Sequence, residues 1–95
     1  MTDPFVAQLD ALERSCEELF SELVSQQEKK VLGIAQELRP SVTRDDLFQP
    51  QDIKEIAQDP VFNYEDGLLA GLKAARIALR ARVLRPLRER GEERS

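Results

Sequence analysis

Ninety-five residues with a net charge of −4, 34% charged and 5% aromatic side chains, and neither Trp nor His bound one domain and suit long exposed helices better than a compact β core. Without His there are no imidazole bases, no His-containing triads and few routes to a zinc site, and one Cys excludes an intrachain disulfide and fits a reducing compartment. No apolar run approaches the ~18 residues of a membrane span and no signal-peptide core is present, so the expectation is a cytoplasmic protein.

Charge is divided along the chain. Residues 1–66 hold 6 Lys/Arg and 15 Asp/Glu, net −9, whereas residues 67–95 hold 8 and 3, net +5. From Gly67 to Arg88 there is no acid at all.

The first predicted element is a long helix over 4–39. Asp3 can cap free N–H groups and Pro4 suits the first helical position. Phe5, Leu9, Leu12, Cys16, Leu19 and Leu23 recur four and three apart, and Phe20, Val24, Gln27, Val31, Ile34 and Leu38 continue one position out of phase. That shift reads as a stutter in a coiled-coil-like seam, with Gln26 and Gln27 forming a polar layer at the handover. Pro40 disfavours α geometry in Arg39 and ends the helix. A helix of ~36 residues spans roughly 54 Å, a length that calls for pairing along most of its extent.

Residues 41–62 read as a helical connector. Thr43 and Asp46 resemble a capping box opening a turn through Leu47 and Phe48, Pro50 begins another turn with Ile53, Ile56 and Ala57 on one face, and Asp59-Pro60 breaks it. Leu47, Phe48, Ile53, Ile56, Val61, Phe62 and Tyr64 make this segment apolar enough to plug the end of a helix pair.

The second long helix is expected over 64–87, started by Asn63 and Asp66, with Pro86 marking its end or a kink and residues 88–95 forming a charged, frayed tail. Gly67, Gly71, Ala75 and Ala78 follow at four, four and three. Two interior glycines cost about 1 kcal/mol each relative to Ala, and close approach of another helix is the usual offset. Gly67, Gly71, Ala75, Ala78, Leu68, Leu72 and Leu79 are therefore the expected helix-packing interface.

Asp10, Glu13, Glu17, Glu18 and Glu22 occupy the first half of the first helix, and Arg80, Arg82, Arg85 and Arg88 the last half of the second. Antiparallel rods set these blocks side by side. The fold expected is all-α: an antiparallel helical hairpin with a short helical connector, dimerising into a four-helix bundle because both helices carry apolar width to spare.

No catalytic constellation emerges. Cys16 sits at a seam position and reads as a small core residue. Gly67 and Gly71 lack the strand and Lys-Ser/Thr ending of a phosphate loop, and Lys73, Arg76 and Arg80 interrupt any membrane-dimer reading. Asp46, Asp59 and Asp66 read as helix caps, since an EF-hand order of ligands is missing. No metal, cofactor or catalytic residue is assigned. Lys73, Arg76, Arg80, Arg82 and Arg85 form a possible partner-binding surface, although a basic helix beside an acidic one also answers it internally.

The function expected is thus a non-catalytic helical interaction or self-assembly module, a homodimer with a possible further protein partner. The alternatives are a binder of nucleic acid or anionic surfaces through residues 67–88 and, more remotely, a small all-α enzyme. Chorismate mutases of the helical type are similar in size and in their long first helix, a likeness of architecture in which no ligand motif matches residue by residue.

Overall fold

In the computed structural model, residues 3–94 are described (the Arg94 side chain aside), and every regular element among them is helical. Helix α1 spans Pro4–Leu38. Its start is capped by Asp3, whose side chain accepts the Phe5 N–H at 2.9 Å, with Pro4 at the first position. It ends because Arg39, preceding Pro40, turns extended at φ −148 and ψ 98.

The connector follows in short turns. Both the backbone N–H and the hydroxyl of Thr43 donate to Asp46 Oδ2, at 2.9 and 3.1 Å. These bonds hold the Asp46 carboxyl below its usual range and open a 3₁₀ turn over Asp45–Phe48. A second such turn over Pro50–Asp52 leads into the single-turn helix α2, Lys54–Ala57. Val42, Ile53 and Ile56 are buried and join the core. Three residues expected in the plug instead face outward: Val61, Tyr64 and above all Phe48, which is 80% exposed.

Helix α3 spans Pro60–Leu79, starting four residues before the expected Tyr64. Asp59-Pro60 is a start signal rather than a break: Asp59 accepts the Phe62 N–H at 2.7 Å, and Pro60 fills a position whose N–H has no helical partner. Asn63, expected to cap, already lies inside the helix and donates from Nδ2 to the Ala57 carbonyl at 3.0 Å. Asp66 is likewise interior.

The helix also continues beyond its expected end at Leu87. A π-helical turn over Arg80–Leu84, in which the Arg85 N–H bonds the Arg80 carbonyl, leads into helix α4, Arg85–Arg94. Proline's ring collides with the carbonyl four residues earlier in a regular helix. A widened turn next to Pro86 provides the room and lets the rod carry on. The segment expected to fray is tied down instead: Gly91 is buried, and a Cβ there would lie 2.9 Å from Phe5 Cε1. Ser95, the last residue of that expected tail, lies outside the described residues.

Contacts between the rods step in opposite order along the chain. Lys30 and Gln27 meet Glu65, Glu17 meets Arg76 and Arg80, Asp10 and Glu13 meet Arg88, and Gly91 approaches Phe5. The core is one cluster: Val24, Val31 and Ala35 from α1, Val42, Ile53 and Ile56 from the connector, and Phe62 and Leu69 from α3. The resulting body measures 57 × 19 × 18 Å.

Burial along α1 passes from the first apolar series to the second: Leu9 of the first and Val24 and Val31 of the second are buried, while Leu12 and Leu19 of the first are exposed. A shift of one position rotates a side chain by about 100° around the helix, so beyond Leu9 the first series turns away from the core.

Candidate interaction surface

The face of α3 that meets α1 is built from large residues. Phe62 and Leu69 are buried and Leu72 packs against the core beside them. Between them lies Glu65, the one buried charged residue among those described, 8% exposed. Gln27 Nε2 donates to its carboxylate and to its backbone carbonyl, and Lys30 Nζ pairs with the other oxygen at 2.9 Å. The Gln27 bond, with Lys30 next, holds this carboxyl below the usual range. A buried carboxylate stays charged only when so partnered.

Toward the far end the rods are joined by ion pairs. Glu17 takes Arg76 at 2.7 Å and also binds Arg80 through both of its oxygens. Hydrogen bonds from Arg80 first, then Arg76, pull the Glu17 carboxyl from 4.5 down to about 2. Arg88 spans Glu13 and Asp10, whose bonds, Glu13's foremost, raise its pKa further above the ordinary guanidinium value. A cleft of about 300 Å³ lies here, lined by Glu13, Glu17, Arg80, Leu84, Arg85 and Arg88. Its Glu13, Glu17, Arg80 and Arg88 are committed to ion pairs within the chain, which leaves Arg85 as the lining charge without one among the described residues.

Of the five residues expected to form a basic partner surface, Arg76 and Arg80 are therefore engaged inside the chain. Lys73, Arg82 and Arg85 are exposed and form no ion pair among the described residues. Arg85 lines the cleft beside Arg80, whereas Lys73 lies against a different pocket with Leu69 and Leu47.

The small-residue stripe is where the expectation fails within the chain. Gly67, Gly71, Ala75 and Ala78 are all exposed, and a Cβ on Gly67 or Gly71 would meet nothing within 4 Å. Leu68 is exposed too, whereas Leu72 and Leu79 are half-buried. The reason is that Phe62, Leu69 and Leu72 bury far more apolar area against α1 than glycine and alanine could. The bulky positions win the contact and turn the small ones outward.

No family model matches this chain, and no curated protein and no solved structure is detectably similar to it. Among the described residues, no helix is long and apolar enough to cross a membrane and no group of three or more acids and cysteines is placed to hold a metal.

What does stand out is a repeated offset. On α3, the exposed Val61, Tyr64 and Leu68 each precede a buried residue: Phe62, Glu65 and Leu69. Gly71 and Ala75 likewise precede Leu72 and Arg76. On α1, Leu12, Cys16, Leu19 and Leu23 precede Glu13, Glu17, Phe20 and Val24, the residues that face the other rod or lie half-buried beside it. Each helix thus carries an apolar stripe rotated in the same sense from its contact face. Leu19 at 54% and Tyr64 at 66% exposure show how open these stripes are.

Proposed function

We propose that the chain is an antiparallel helical hairpin whose role is non-catalytic association, and that its first partner is a second copy of itself in a four-helix bundle. The opposed order of inter-rod contacts supports the hairpin. Rotation in the same sense on two rods that point in opposite directions puts both apolar stripes on one side of the molecule. Leu12, Leu19, Leu68 and Val61 then belong to one continuous face, which a monomer leaves in water.

Surface area carries this reading. The chain exposes 6908 Å², against about 5,500 Å² for a compact monomer of its 10.8 kDa mass. The surplus of about 1,400 Å² per copy lies in the range that obligate homodimers bury per partner. Light scattering at micromolar concentration tests the proposal. A mass of twice 10.8 kDa is expected, and a single 10.8 kDa species would refute it.

A further inference from the structure

We infer that the two hairpins pair about a two-fold axis parallel to their long dimension, so that α1 of one copy lies across α3–α4 of the other. This rests on the dimer reading above and adds its geometry. Two symmetric ways exist to set such faces together. A perpendicular axis puts each helix against its own equivalent, with leucine stripe on leucine stripe and the glycine–alanine stripe on itself. A parallel axis puts large against small.

Within one chain Gln27 is level with Glu65, and Glu17 with Arg76 and Arg80. A parallel axis preserves these levels between copies. Leu19 then falls opposite Ala75 of the second copy, Leu23 opposite its Gly71 and Cys16 opposite its Ala78. Close-packed interfaces need large and small residues alternating across facing positions. The same arrangement gives the two exposed glycines a purpose they lack inside the chain, where a Cβ would touch nothing.

Charge leans toward the same axis. Glu18 and Glu22 sit one position before Leu19 and Leu23, on the outer flank of α1, and Arg82 sits one position before Val83 on the outer flank of the other rod. None of the three forms an ion pair among the described residues. A parallel axis puts Arg82 on the same edge as Glu18 of the neighbour, roughly one helical turn along. A perpendicular axis sets Glu18 and Glu22 beside their own equivalents.

Cross-linking reads the axis directly. In a Cys16→Ser background, Leu19→Cys protein is mixed with Ala75→Cys protein, refolded together and oxidised. The mixture is expected to give a covalent pair, and each variant alone almost none. Equal cross-linking by Leu19→Cys alone, or no covalent pair from a mixture that scatters light as a dimer, overturns the axis while leaving the dimer intact. A monomeric mass overturns both. Gly71→Leu supplies a second test, because a Cβ there meets nothing within 4 Å in its own chain. Helicity is expected to persist while association weakens about tenfold or more, and unchanged association would contradict the facing of Leu23 and Gly71.

Discussion

The side-chain amide of Gln27 donates twice to Glu65, at 2.7 Å to the carboxylate and at 2.8 Å to the backbone carbonyl. One residue of α1 thereby fixes both the height and the rotation of α3, since a slip of one turn leaves the carboxylate buried without its donor. Polar layers of this kind trade stability for register. Gln27→Ala should be less stable than the parent at pH 7. Glu65 loses the donor chiefly responsible for its lowered pKa, so the stability its charged form contributes above the ordinary carboxylate range, and loses as the pH falls below it, shrinks in the variant. Urea unfolding across pH measures this: the gap between parent and variant should narrow as the pH falls, and a gap that stays constant would show that Gln27 does not hold the carboxylate.

Glu17 gives a second pH signature. Its carboxyl is pulled from 4.5 to about 2 in the folded chain, so the folded state resists a proton that the unfolded chain accepts. The contribution is complete above about pH 5 and disappears as pH falls toward about 2. Glu17→Gln should therefore be less stable than the parent at pH 7, while the two converge near pH 2. The effect will be modest because the pair is partly exposed and salt screens it. Parallel urea-unfolding curves across that range would expose an absent Arg76–Arg80 clamp.

Burial makes a sharper distinction between two phenylalanines on neighbouring segments. Phe62 is 1% exposed and Phe48 is 80% exposed. Phe62→Ala should cost about 3–5 kcal/mol, the range for emptying a buried aromatic site, whereas Phe48→Ala should stay within about 0.5 kcal/mol. Chemical denaturation of both variants provides the comparison. Similar losses for the two would mean that the connector packs differently.

How much of this was legible in the sequence depended on whether local chemistry or competition between faces decided the outcome. Asp3-Pro4 and Asp59-Pro60 carry the same start signal, but the second follows a short helical turn and so reads as a break. Pro86 reads as an end or a kink, and the chain's answer, a π turn at Arg80–Leu84, depends on backbone adjustment that residue identity does not announce. Gln27 interrupts an apolar series, yet a helix expected from Tyr64 places its partner Glu65 in the first turn, where nothing in the sequence marks it as buried. The glycine–alanine stripe was conspicuous, but which face of α3 meets α1 is settled by total apolar area, and there Phe62, Leu69 and Leu72 prevail.

If this chain completes its apolar packing with a second copy, as proposed, folding and association are linked, so stability rises with concentration by mass action. Thermal unfolding followed by circular dichroism from about 2 to about 200 μM chain tests this most directly. A midpoint that climbs steadily across that range is expected for the dimer, and a midpoint that stays the same at both ends would rule it out.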